Sequence, residues 1–218
     1  MVRGEDCDVQ GSISNIRFSP LVNLGPDRRA RERRGRFFRK FLWLLLLGGL
    51  GYAVLHYFRE WRSSHRYDAI IVEAANRHHV SPALVKAIIC QESGFRPWSE
   101  GKAEEVGLMQ LTPGAVRDWE RSTGQKCQTR GALFDPRLNI EIGSWYIASN
   151  LAQWQAHPDM EVLALAQYNA GIRNAMKWAA TDAAASTLDR ISFPGTRRYI
   201  ERILRSKQKY EHDLRDTR

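Results

Sequence analysis

The sequence predicts an all-α domain placed behind one apolar helix long enough to cross a membrane. Three observations carry this reading. Proline-headed helix starts recur at Ser81-Pro82, Thr112-Pro113 and Asp135-Pro136. Each sets a side-chain acceptor at the N-cap before a residue preorganised for the first helical turn. Between these starts apolar residues return every three or four positions. Upstream, residues 41–58 form an 18-residue run without a formally charged side chain at neutral pH.

Residues 1–27 are polar, show no period and read as a disordered tail. Residues 28–40 hold eight basic residues against one acidic residue. Together they make a 1–40 segment that ends in a basic juxtamembrane cluster. At a helical rise of about 1.5 Å per residue, the 41–58 run spans roughly 27 Å, close to the hydrocarbon thickness of a bilayer. Trp43 stands near one end and Tyr57, Phe58 and Trp61 at the other, as interfacial aromatics do. The dense positive charge before the run predicts a cytoplasmic N-terminus, with everything after residue 60 across the inner membrane in the periplasm. Residues 59–66 read as a linker and 67–218 as the domain.

Within the domain, helices are expected over 67–79, from Ser81 to about Ser93, and from Thr112 to a stop near Gly124. Others follow from Asp135 to about Gln155, from Pro158 to Gly171, over 174–180, and from about Thr196 to the end. Only 106–111 reads as a short extended segment. The net charge of +9 is concentrated in the 28–40 cluster rather than on the domain, which argues against nucleic acid as a partner. The histidines are scattered, and no metal-ligand spacing, phosphate loop or dinucleotide fingerprint occurs; no cofactor or metal is expected. Cys90 and Cys127 fall on the side where a disulfide is permitted, although Cys90 equally reads as a small buried hydrophobe.

The chemistry centres on Glu92. Leu84, Ile88 and Glu92 lie four apart, so a helix stacks them in one row and a carboxylate continues an apolar stripe. Burial there disfavours the charged form and raises the pKa, which suits a general acid. A helix-end Glu that turns to solvent is the plainer reading. Two segments downstream favour the first: Gly107-Leu108-Met109-Gln110 and Ala166-Gln167-Tyr168-Asn169-Ala170-Gly171.

In this order and spacing, Gln91-Glu92-Ser93-Gly94-Phe95 and these two segments resemble the lytic transglycosylases of the soluble type, a lysozyme-like family related to goose-type lysozyme. The likeness covers about 67–210 and includes Asn139-Ile-Glu-Ile-Gly143 and Phe193-Pro-Gly-Thr-Arg-Arg-Tyr199. It implies a lysozyme-like helical fold and cleavage of the β-1,4 bond between N-acetylmuramic acid and N-acetylglucosamine in peptidoglycan glycan strands. It also implies 1,6-anhydro product ends, with Glu92 as the single catalytic acid and base. Substrate-binding roles would fall to Ser93, Met109, Gln110, Tyr168 and Asn169. Plain core packing is the other reading for Met109, and a turn residue before Gly171 the other reading for Asn169. A non-catalytic wall-binding or envelope-assembly protein using the same groove is the alternative function. Nothing in the sequence names a partner in an envelope machine.

The chain departs from the family pattern at one place. Gly101 stands where the family has a serine, and Glu104 and Glu105 where it has Gly-Ala or similar. The two carboxylates either face water or add negative charge beside Glu92.

Overall fold

The computed structural model describes residues 28–179 and 186–215, with side chains described over 40–56, 64–179 and 186–213. The expected tail over 1–27, with Cys7, lies outside the described residues. So do the side chains of most of the basic cluster and the last residue of the helix expected over 174–180. The chain divides into two compact units at residues 54 and 55.

The first unit contributes most of α1 (Arg28–His65). Its described apolar side chains are exposed, Trp43, Leu44 and Val54 among them. Among the described residues no helix is long and apolar enough to cross a membrane. The last two residues of the 41–58 run have no described side chains.

The second unit is a helical domain: α2 (Asp68–Arg77), α3 (Pro82–Ser93), α4 (Pro113–Thr123), a 3-10 turn (Arg130–Phe134), α5 (Pro136–Gln153), α6 (Met160–Ala170), α7 (Ile172–Ala179), α8 (Thr187–Arg190) and α9 (Pro194–Arg215). The three proline-headed starts are all used. Ser81 Oγ accepts from Leu84 N at 3.4 Å, Thr112 Oγ1 from Ala115 N at 3.2 Å and Asp135 Oδ1 from Leu138 N at 3.0 Å. Such caps stabilise a helix by about 1 kcal/mol each. Gly124 closes α4 in the left-handed conformation at φ 71°, the usual role of glycine just past a helix.

One expectation changes. The 106–111 segment forms no strand; Val106 makes single antiparallel bridges to Glu100 and Leu111. Asp159 does not cap α6 with its side chain. Its carboxylate instead accepts from Thr187 Oγ1 at 2.6 Å and Thr187 N at 3.3 Å, which ties α8 to the start of α6.

Helices α3 and α9 pack antiparallel, since Glu92 meets Tyr199 while Lys86, earlier on α3, meets Tyr210, later on α9. Lys86 is fully buried. Its ammonium lies 2.7 Å from Asp68 Oδ1 on α2 and 5.0 Å from the Tyr210 ring centroid. A buried cation so enclosed ties three helices together, because separating them leaves its charge unpaired in the core. Both described cysteines carry free thiols. Cys90 lies on α3 and Cys127 before the 3-10 turn, where its thiol donates to Thr129 O at 3.3 Å.

Candidate functional site

Glu92 sits in the last turn of α3. The Ser81 cap fixes the register of that helix, and Gly94 ends it in the left-handed conformation at φ 58°. Tyr199, in the first turns of α9, donates its hydroxyl to Glu92 Oε1 at 2.6 Å. Burial pushes the Glu92 carboxyl up from 4.5 to about 7; the Tyr199 bond works against that rise and the charge of Glu105 adds to it. Desolvation penalises the carboxylate more than one hydrogen bond rewards it. Near neutral pH this group is poised to give up or take a proton. The Tyr168 and Tyr199 hydroxyls are both pushed well above the usual tyrosine range by burial and by the charge of Glu92. They therefore stay protonated donors.

One wall of the site is the 107–110 loop, held by buried polar contacts. The Asn139 side chain, at the start of α5, accepts from Met109 N at 2.8 Å. It donates to Val106 O at 2.9 Å and to Leu133 O at 2.8 Å. Gly107 has φ +84°, and a Cβ there would stand 2.2 Å from Asn139 Nδ2. At Gly143 the packing is equally close: a Cβ there would stand 2.2 Å from Met109 Sδ. Tyr168, on α6, donates to Met109 O at 2.8 Å, and its ring meets the edge of Tyr146 at 5.3 Å. Among the described residues no group of three His, Cys, Asp or Glu side chains could hold a metal ion.

The model of the transglycosylase SLT domain matches residues 69–191, more than half of the chain. The chain belongs to the transglycosylase SLT domain family. It is 36% identical over 89 residues to the membrane-bound lytic murein transglycosylase C of Klebsiella pneumoniae subsp. pneumoniae, covering 40% of this chain and 25% of that protein. Its fold is similar to an inactive mutant of the lytic transglycosylase Slt from Pseudomonas aeruginosa. That match has a TM-score of 0.63 and 26% identity, and covers 69% of this chain and 25% of the other. It is also similar to the 70 kDa soluble lytic transglycosylase of Escherichia coli, with a TM-score of 0.62 and 25% identity over 68% of this chain and 24% of that one. The chain thus spans about a quarter of the length of these relatives. The all-helical, lysozyme-like architecture expected from the sequence is the fold of this family.

Within this SLT domain the residues expected to bind substrate take different places. Tyr168 stands beside Glu92 closely enough to feel its charge, although its hydroxyl is committed to Met109 O. Ser93 is 1% exposed and its hydroxyl donates to Ile89 O at 3.2 Å, inside the helix. Met109 is fully buried, its side chain against Gly143, which matches the core-packing reading, and its backbone carbonyl accepts from Tyr168. Gln110 takes a left-handed conformation at φ 47°. Its amide nitrogen donates to Ser99 O and Gly107 O, both at 3.0 Å, so that half of the amide is occupied by its own loop. Asn169 is exposed, with Oδ1 accepting from Thr196 Oγ1 at 2.8 Å. This bond joins α6 to the start of α9, the segment that delivers Tyr199.

The space beside the Gly107 Cα is taken by the Asn139 side chain. Two residues of the site escaped the sequence reading. Tyr199 closes the 193–199 segment, which carries no role of its own in the sequence. Asn139 lay in the quoted 139–143 segment without a role. The departures resolve into one feature. Glu104 is exposed, while Glu105 folds back so that its Oε2 accepts from Ala103 N at 2.8 Å. A Cβ on Gly101 would lie 2.2 Å from that same oxygen. The Glu105 carboxylate occupies the space that a side chain at 101 would need.

Proposed function

We propose that the protein is a membrane-anchored lytic transglycosylase that cleaves the β-1,4 bond between N-acetylmuramic acid and N-acetylglucosamine in peptidoglycan. The observation that carries this is the Glu92 carboxyl, raised to about 7 beneath Tyr199, in a domain of the SLT family. Glu92 donates its proton to the glycosidic oxygen as the C1–O bond breaks, with the substrate's N-acetyl group stabilising the developing cation. The resulting carboxylate takes the proton of the sugar's C6 hydroxyl, whose oxygen bonds to C1. The proton count closes, Glu92 returns to its starting state and no water is consumed. Attack from within the same sugar has a high effective molarity, so a single carboxyl can serve where most glycosidases use two. Tyr199 lowers the cost of the ionised intermediate state of Glu92. Tyr168 fixes the wall opposite, and Gln110 and Asn169 offer their remaining polar atoms to the glycan.

Residues 41–58 would anchor the chain in the inner membrane with the N-terminus cytoplasmic and 67–218 in the periplasm. Support comes from the exposed apolar surface of α1, since a helix apolar all round is covered by lipid or protein, and from the basic cluster before it. The relative named membrane-bound fits the same placement. The test is digestion of purified peptidoglycan by the full chain in detergent, with products read by mass spectrometry. Anhydro-muramic ends that disappear in Glu92→Gln are expected. Reducing muramic ends would make the protein a hydrolase. Binding without any product would make it a wall-binding protein.

A further inference from the structure

We propose that Trp98 is a stacking platform for a sugar ring of the glycan strand, outside the Glu92 pocket. The inference rests on the glycan reading above and adds a binding subsite to it. Trp98 is 73% exposed, yet the segment that carries it is pinned. Ser99 N donates to Arg96 O at 3.3 Å, and Ser99 O accepts from Gly107 N at 2.8 Å and from Gln110 Nε2 at 3.0 Å. Glu100 bridges Val106 through the backbone and takes a guanidinium hydrogen bond from Arg130 at 2.7 Å. The indole rests against Phe134, with centroids 5.3 Å apart and planes at 37°, and Phe134 is itself packed on the core. An aromatic ring supported on one side and bare on the other is a preorganised surface that gives up little conformational entropy on binding.

The apolar C–H face of a pyranose suits such a ring. The Arg130–Glu100 pair beside it offers hydrogen-bonding groups to the hydroxyls at the sugar's edge. Continuity with the Glu92 site singles out the strand being cleaved as the occupant. Trp98 follows Glu92 by six residues, so the two backbones lie within roughly 20 Å of each other. The Ser99 carbonyl is bound by Gln110 of the same loop whose Met109 carbonyl holds Tyr168. A long glycan strand lying in the groove reaches that far; a short fragment does not.

The experiment measures kcat and KM of the full chain in detergent on purified glycan fragments of graded length, for wild type, Trp98→Ala and Trp98→Phe, with melting temperatures alongside. The expected result is a KM increase in Trp98→Ala that grows with strand length to about three- to tenfold, the range of an aromatic face contact. Trp98→Phe should restore most of it. Identical length dependence in wild type and Trp98→Ala overturns the proposal. A loss equal at every length, accompanied by a lower melting temperature that Trp98→Phe repairs, also overturns it by marking a purely structural role. If wild type releases no product from any strand, the transglycosylase reading fails separately. Equilibrium binding of long strands then decides the subsite, and equal affinity of wild type and Trp98→Ala overturns it.

Discussion

Replacing Glu92 with Gln should stabilise the domain at alkaline pH and hardly at all in acid. The carboxyl is raised from 4.5 to about 7 in the folded state, and each unit corresponds to 1.36 kcal/mol. Folding therefore favours the protonated form. Below about pH 4.5 the group is neutral in both states and contributes no difference. Between 4.5 and 7 the unfolded chain ionises first, and stability falls as pH rises. Above 7 the folded state holds the full charge at a cost of about 3 kcal/mol, an upper figure because Glu92 keeps some contact with water. Glutamine keeps the shape of the protonated acid and can still accept from Tyr199, so it removes this penalty alone. For a domain of this size, 1 kcal/mol moves the melting temperature by roughly 2–4 °C. Glu92→Gln should therefore melt several degrees higher than wild type at pH 8 and coincide with it near pH 4. Thermal unfolding of both proteins across that range is the assay. A melting difference independent of pH would refute the claim that Glu92 is held protonated by burial.

The activity profile should lose half its value on the alkaline side near pH 7, where Glu92 ionises. Tyr199→Phe deletes a hydrogen bond that favours the charged form, so that limb should move up by about one unit. Glu105→Gln removes a repulsive charge and should move it down by less; shifts of both variants in one direction would refute these assignments. Asp68→Ala leaves the buried Lys86 ammonium unpaired and should cost about 3 kcal/mol, whereas the double variant Asp68→Ala with Lys86→Met, which removes both charges, should recover most of that loss in the same denaturant titration. Asn139→Ala strips partners from three buried backbone groups, each worth about 1–3 kcal/mol. It should abolish activity at temperatures where the helical content by circular dichroism survives.

Most helices were legible because their starts are written locally. A Ser, Thr or Asp followed by Pro names both the cap and the first turn, and all three such starts appear where expected. The position of Glu92 was legible for the same reason: four-residue spacing puts it on the apolar face of α3. What escaped depends on long-range packing. Tyr199 lies 107 residues after Glu92 in the chain, and nothing in the amphipathic pattern of α9 separates a tyrosine that fills the core from one that holds a carboxyl. Ser93 and Met109 carry motif positions, but motif membership does not say which way a side chain points. Both are buried, Ser93 bonded within its own helix and Met109 packed against Gly143.

The departure at 101–105 shows why a residue-by-residue comparison with a family pattern misleads. Read singly, Gly101 loses a side chain and Glu105 gains a charge. In the structure the place of Glu105 depends on the absence of a side chain at 101. Any Cβ at 101 would collide with the Glu105 carboxylate, and without that vacancy the carboxylate would have to leave its bond to Ala103 N. Gly101→Ser alone should therefore displace Glu105 and shift the Glu92 profile downward, as Glu105→Gln does. The double variant Gly101→Ser with Glu105→Ala should relieve the collision and keep the shift. Stability separates the two variants where the pH profile does not. The single variant should melt slightly lower than the double, because displacing Glu105 forfeits its bond to Ala103 N, worth about 1 kcal/mol. Equal melting temperatures would mean that the two positions vary independently, and that Glu105 reaches its place beside Glu92 without help from the glycine.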